Sequence, residues 1–182
     1  MSEEIARLYE AEIHKSFDEF LKEYNFCRSK SSVVESEFCV TYRKEDLYIL
    51  IGGTLKPEHY PYYLYTTFGE GHDESPEADW NSVPFWKIMQ CVSPDDYTNY
   101  LPVFEITAGA KADQIADQIW TCRELCRECG KEFLAGDLSV FRFARAEQNR
   151  MREPYKIYVL GSDGKHQLTY EKKSIELKLK YS

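Results

Sequence analysis

Between Ala108 and Phe133, eight apolar or small residues recur at alternating steps of four and three: Ala108, Ala112, Ile115, Ile119, Cys122, Cys126, Cys129 and Phe133. That spacing puts them on one stripe of a long helix, and a stripe of this width needs another layer to bury it. The stripe also carries Cys122, Cys126 and Cys129, the most suggestive chemical motif in the chain. Cys-x3-Cys-x2-Cys is the spacing by which radical enzymes hold a cluster with one open iron. In those enzymes the motif sits on a loop after a first strand, and an aromatic precedes the last cysteine. Here the cysteines share a helical stripe, and Glu128 holds that place. The reading is therefore a core seam in which cysteine serves as a small hydrophobe, with no metal and no cofactor. An iron–sulfur or zinc site built on Cys122, Cys126 and Cys129 is the alternative; zinc would need a fourth ligand such as Cys91 or a histidine.

The other long periodic segment is at the start of the chain. Ile5, Leu8, Tyr9, Ile13, Phe17, Phe20, Leu21 and Tyr24 follow helical spacing, with Ser2 as a possible cap and Asn25 as a left-handed stop. This helix and the central one are expected over about 2–24 and 110–134. Between them lie strand patterns. Cys27 to Ser32 reads as a polar connector, and Val33 to Tyr42 alternates as a strand. Arg43 to Asp46 reads as a turn. Leu47 to Ile51 is apolar on both faces, as in a central strand that Gly52-Gly53 ends or bends. Tyr62 to Phe68 reads as a third strand. Trp80 to Gln90 suggests a short helix, and Val103 to Ile106 a strand or an extended segment.

After the central helix, Leu138 to Ala146 suggests a further short helix that Pro154 stops. Tyr155 to Leu160 and Gln167 to Tyr170 flank Gly161-Ser162-Asp163-Gly164 as a hairpin. Ile175, Leu177 and Leu179 suggest a last strand or a tail helix. The expected class is α+β: an antiparallel sheet of about five or six strands with the two long helices packed on one side, in a single domain over 1–182. At 182 residues the chain can bury about 70% of the surface its unfolded form exposes, so its core requires no disulfide or metal.

Charge is distributed unevenly. Pro57 to Ala110 holds nine acids and one base, Lys87, while the rest of the chain is balanced. Such a middle excludes a general nucleic-acid binder and suits a basic protein partner. Its densest part is the loop Gly69 to Asp79. Glu70, Asp73, Glu74, Glu77 and Asp79, with Trp80 beside them, are the candidate partner-binding residues: the carboxylates would steer a basic partner and the aromatic would bury on docking. Arg150, Arg152 and Glu153 are expected to cross-link the junction between helix and hairpin.

No reaction is identified. His14, His59, His72 and His166 fall in no ligand motif, there is no G-x-S-x-G, and no glycine cluster forms a phosphate loop. A small enzyme with a cleft beside the acidic loop is the alternative. No apolar run is long enough to span a membrane, and MSEEIARLYEAEIHK is acidic and amphipathic, unlike a secretory signal. Six cysteines in such a chain suggest reduced thiols and a cytoplasmic location, without membrane association.

The stretches FDEFLKEYNF, GEGHDESPEADWNSVPFW and ECGKEFLAGDLSVF through REPYKIYVL, in this order of elements, cover about half the chain. In style the chain resembles small uncharacterised α+β proteins of bacteria, among them the immunity proteins that neutralise toxins of neighbouring cells. The resemblance implies a cytoplasmic, non-enzymatic inhibitor whose acidic face covers a basic site on its partner. It assigns no residue a role.

Overall fold

A computed structural model describes residues 2–56, 59, 61–107, 109–162 and 164–182, except the side chains of Ser2 and Tyr62. Helix α1 (Ser2–Lys22) ends at Asn25, which takes the left-handed conformation (φ 66°). Four strands then run as an antiparallel meander: β1 (Cys27–Val34), β2 (Glu37–Lys44), β3 (Leu47–Thr54) and β4 (Tyr62–Glu70). Helix α2 (Ala78–Asn81), strand β5 (Ser82–Pro84), helices α3 (Phe85–Val92) and α4 (Tyr97–Tyr100), a 3-10 turn (Leu101–Phe104) and strand β6 (Glu105–Ile106) follow. Next come α5 (Ala112–Cys129), α6 (Lys131–Ala135) and α7 (Ser139–Met151). The chain closes with the hairpin β7 (Lys156–Leu160) and β8 (His166–Tyr170), then α8 (Lys172–Tyr181). The main sheet has six strands in the order β1-β2-β3-β4-β5, with β6 also paired to β4. The α+β class and antiparallel sheet expected from the sequence are present.

Cross-strand register decides which side chains meet the helices. Phe38, Val40 and Tyr42 of β2 stand level with Gly53, Ile51 and Ile49 of β3, which stand level with Leu64, Thr66 and Phe68 of β4. This face takes α1 and α5. Tyr9 stacks on Phe38 with ring centroids 4.9 Å apart, and Phe68 stacks on Phe133 at 4.7 Å. Cys122, Cys126 and Cys129 are buried on α5, and the Cys122 thiol lies 3.5 Å from the Thr66 hydroxyl. Burial pushes the Cys126 and Cys129 thiols up from their ordinary range, so both stay protonated at neutral pH. Ala108, the first residue of the stripe, lies outside the described residues.

Several elements depart from the sequence reading, each for a local reason. The segment read as a connector, Cys27 to Ser32, is the body of β1. It is an edge strand whose Lys and Ser side chains face solvent, so it carries no apolar alternation. The strand read as starting at Val33 is split by a turn at Glu35, which has φ 55°. The next turn is only Glu45-Asp46, because the ladder of β2 and β3 closes at Lys44 and Leu47.

Gly52-Gly53 continues β3 instead of ending it. A Cβ at Gly52 would stand 2.6 Å from the Phe38 carbonyl oxygen, and one at Gly53 would stand 2.7 Å from the Phe38 ring. The bare backbone there lets neighbouring groups lie against the strand. The helix expected at 110–134 is two helices broken at Gly130, where a Cβ would stand 2.6 Å from the Cys126 carbonyl oxygen and 2.9 Å from the Phe68 ring. The tail 172–181 is helical, with Glu171 capping the Lys173 and Ser174 amides. Ser174, Leu177 and Tyr181 are its buried positions, while the alternating Ile175 and Leu179 face solvent. Asp163, in the expected hairpin turn, lies outside the described residues.

Candidate functional site

The acidic loop is an internal staple. Glu70, at the end of β4, accepts from Arg142 at 2.5 Å and Arg145 at 2.8 Å, both on α7. Asp73 accepts from Arg43 of β2 at 2.7 Å. Glu77 pairs with Lys180 at 2.9 Å and with the Tyr181 hydroxyl, both on α8. Asp79 accepts from the Tyr155 hydroxyl, and its main-chain carbonyl accepts from Arg152. Trp80 is fully buried against Leu177 and Tyr181, with the Arg152 guanidinium 5.2 Å from its ring centroid. Asn81, also buried, accepts from the Tyr48 hydroxyl at 2.8 Å and donates to the His72 carbonyl at 2.7 Å.

Of the six residues the sequence singled out, Glu74 alone is both exposed and unpaired among the described residues. Trp80 is a core residue, not a contact waiting for a partner. The cause is the basic C-terminal segment: its Arg and Lys side chains fold back onto the loop. Sequence counting sees an acidic middle and a basic tail but not their contact. Of the three residues expected to cross-link helix and hairpin, Glu153 pairs with Lys156 of β7 at 2.6 Å, Arg150 pairs with Glu147 inside α7, and Arg152 reaches the Asp79 carbonyl and the Trp80 ring instead.

These pairs set an acid limit on stability. The Arg142 and Arg145 guanidinia hold the Glu70 carboxyl below the usual range, and the Tyr181 hydroxyl and Lys180 do the same for Glu77. Burial pushes the Asp73 carboxyl up, but the Arg43 bond, a backbone amide and the Arg43 and Lys30 charges together outweigh it and the net shift is downward. A carboxylate with a depressed folded-state pKa stabilises the fold above its unfolded pKa, about 4.3 for Glu and 3.9 for Asp. That contribution is lost as pH falls through the folded value. Melting temperature is therefore expected to fall from about pH 4.5 downward. Glu70→Gln should lower the melting temperature at neutral pH and flatten its decline in acid. An acid limb as steep in Glu70→Gln, Glu77→Gln and Asp73→Asn as in the parent would contradict this account.

A different surface remains open. The outer edge of β4 is covered at one end by β5, through Thr67 to Gly69, and at the other by β6, through Tyr62 and Tyr63. Residues 64–66 lie between them with no strand neighbour on that side. Local chemistry makes the gap. Pro84 has no amide to continue the β5 ladder, and Phe85 opens helix α3 in place of further strand. The turn at Leu101–Phe104, with Pro102 at its start, delivers β6 for only two residues.

The gap opens into a recess of about 630 Å³, within the range of small-ligand and side-chain pockets. Tyr63 and Tyr65 form its floor on the sheet face away from α1 and α5, with Trp86, Tyr97, Leu101 and Phe104 around them. Tyr63, Tyr65, Trp86 and Leu101 are each 38–49% exposed although large and apolar. Phe85 and Phe104 meet edge to face at 6.4 Å and tie the walls together. Burial pushes the Tyr65 hydroxyl up to about 12, so it is neutral at physiological pH.

Glu105 is the one carboxylate among the described lining residues, and it also borders a second recess with Asp117 of α5. Over 91–121 the chain holds Asp95, Asp96, Glu105, Asp113 and Asp117 against Lys111 alone. All five carboxylates are exposed, and none meets a basic partner among the described residues. Glu105 therefore sets an unpaired carboxylate at the aromatic recess, and Asp117 sets another in the adjoining one.

Sequence reasoning passed over this site because its parts are individually ordinary. Tyr63 and Tyr65 were read only as strand residues. The signals that could have found it are Ser-Val-Pro followed by Phe-Trp, and a Leu-Pro turn flanked by acids.

The recess carries no histidine, cysteine or serine at its lining, so it offers shape, aromatic surface and charge. Two recesses adjoin the acidic loop: one of about 270 Å³ between loop and sheet, lined by Tyr48, Tyr65, Thr67, Asp73, Asp79 and Arg152, and a shallow depression of about 480 Å³ beside α7 and α8, where Glu70 pairs with Arg145 and Glu77 with Lys180. Among the described residues, no group of three or more His, Cys, Asp or Glu side chains is placed to hold a metal ion. No helix among them is long and apolar enough to cross a membrane. Comparisons with family models, curated proteins and solved structures find no match to this chain.

Proposed function

We propose that this chain is a non-enzymatic protein-interaction domain that presents an acidic, aromatic-lined groove to a basic partner, as an inhibitor of the immunity type would. The observation that carries the reading is the recess over residues 64–66 of β4, with exposed Tyr63, Tyr65 and Trp86 and the Glu105 carboxylate, which meets no base among the described residues. Aromatic side chains supply large, rigid contact area, and charge around them steers the partner and selects against acidic ones. An extended segment fits best. Its backbone can bond to the unpaired stretch of β4 while an apolar side chain fills the recess and a Lys or Arg neighbour meets Glu105. The loop 70–79 is not required, because all of its carboxylates but Glu74 are already used inside the fold.

The test uses labelled ten-residue peptides that alternate Lys with Leu or Tyr, and matched peptides with Glu in place of Lys. The lysine peptides are expected to bind and to weaken with added salt. Trp86→Ala should weaken binding by about tenfold or more, corresponding to about 1.4 kcal/mol. Glu105→Lys should do the same, and neither change should alter the thermal melt. Equal binding of the glutamate peptides, or indifference to Trp86→Ala, would remove the groove as the contact site.

A further inference from the structure

We infer that the aromatic recess is a cage for a methylated ammonium group, and that the group arrives as a trimethylated lysine on an extended partner segment. The inference rests on the groove being a binding surface, and it names what the groove selects. Five rings of the described residues line the recess: Tyr63, Tyr65, Trp86, Tyr97 and Phe104. Apart from the edge contact of Phe104 with Phe85, none of the five meets another ring among the described residues. Rings that only fill a core pack on one another, as Phe68 does with Phe85 and Phe133. These instead stand apart around one space, and they are held there by separate elements: β4, α3, α4 and the 3-10 turn.

A ring face is electron-rich and attracts a cation, more strongly where water is excluded. One of these rings already does so. The Lys87 ammonium lies 5.4 Å from the centroid of Trp86. No cation stands over Tyr63, Tyr65, Tyr97 or Phe104 among the described residues. The described lining holds no Lys, Arg or His, and its Glu105 carboxylate meets no base. A positive occupant therefore finds ring faces and an anion, with no opposing charge in the lining.

Hydrogen bonding decides in favour of the methylated form. An unmodified lysine ammonium is compact, strongly hydrated and carries several N–H donors. Glu105 is the one charged acceptor in the described lining, so entry would strip water that the rings do not replace. A trimethylammonium keeps the charge and has no N–H to satisfy. Its methyl groups and long stem supply the apolar surface that fills the recess. Residues 64–66 of β4, with no strand neighbour on that side, let the backbone of a segment pair beside the recess. The cation thus comes on a side chain and not as a free molecule.

The labelled peptides described above test this, with the central lysine left unmodified, trimethylated, or replaced by the neutral isostere in which a quaternary carbon stands in place of the nitrogen. The trimethylated peptide is expected to bind about tenfold or more tightly than either of the others. Trp86→Ala and, independently, Glu105→Gln should remove most of this preference and leave the thermal melt unchanged. Lys87→Gln takes away the competing cation at Trp86 and should tighten binding of the trimethylated peptide by about twofold or more.

Equal binding of the trimethylated and unmodified peptides overturns the cage and leaves the groove standing as a contact for basic segments. Equal binding of the trimethylated peptide and the neutral isostere makes the recess an apolar pocket and also overturns the cage. So does a failure of Lys87→Gln to tighten binding, because no cation then lies beside Trp86. No binding by any of the three peptides overturns both readings. Choline that binds as tightly as the trimethylated peptide makes the occupant a free small cation and overturns the assignment to a side chain.

Discussion

Gly69→Ala is expected to destabilise the protein by about 3–5 kcal/mol, the range for losing a buried aromatic from a core. A Cβ at Gly69 would land within the ring of Tyr48, which lies opposite it across β3 and β4. Tyr48 cannot swing aside at little cost. Its side chain is buried, its hydroxyl donates to Asn81, and the Arg43 guanidinium lies 5.5 Å from its ring centroid. Displacing it leaves the Asn81 carbonyl without a donor in a buried site, a further penalty of about 1–3 kcal/mol if nothing replaces it. The loop 71–79 is held to the sheet partly through Asn81, so its protection against proteolysis should fall too. Denaturant unfolding measures the effect, and a double-mutant cycle identifies its cause. Tyr48→Ala will itself be costly, but Gly69→Ala added to it should be nearly neutral, because the ring is gone. Full additivity of the two changes would mean that the close approach is not what requires glycine.

Trp80→Ala is expected to cost about 3–5 kcal/mol as well, with a different signature. Trp80 is the centre of a small second cluster with Leu177 and Tyr181, and Arg152 lies over its ring. Around it, Asn149 donates to the carbonyls of Trp80 and Tyr181, and Lys178 donates to the carbonyl of Arg152. Removing the indole takes the buried surface that holds α8 to the body. Hydrogen exchange should report early loss of protection in 172–181, ahead of the main sheet. Trp86→Ala is the contrast. That indole is 40% exposed at the groove, so its truncation should stay within about 0.5 kcal/mol of the parent while weakening peptide binding. Uniform loss of protection across sheet and tail in Trp80→Ala would contradict the separate anchoring of α8.

The same two tryptophans show how far local sequence could be read. Both lie in an aromatic, acid-flanked stretch, and nothing within a few residues says which is buried. Trp80 goes inside because Leu177 and Tyr181, almost a hundred residues later, come back to cover it. Trp86 stays at the surface because β5 stops at Pro84 and helix α3 begins in place of further strand. The carboxylates divide in the same way. Glu70, Asp73 and Glu77 find Arg142, Arg145, Arg43 and Lys180 from distant elements, while Asp95, Asp96 and Glu105 find no base.

By itself the sequence determined what depends on periodicity and near neighbours. These are the two long amphipathic helices, the strands β2 to β4, of which β2 alternates and β3 is apolar on both faces, the terminal hairpin and the α+β class. It also determined the role of Cys122, Cys126 and Cys129, because helical spacing within a longer apolar stripe makes them part of a buried face. Only the tertiary structure decided where backbone ladders end, which charges are spent on one another and where aromatic surface is left over. The continuation of β3 and the end of α5 depend on glycines that admit close neighbours, and the recess exists because β5 and β6 fail to meet along β4. The physical reason is common to all of these. A side chain's intrinsic preference acts over one or two turns of chain, whereas burial, ion pairing and strand-edge coverage are set by whichever residues the fold brings against it.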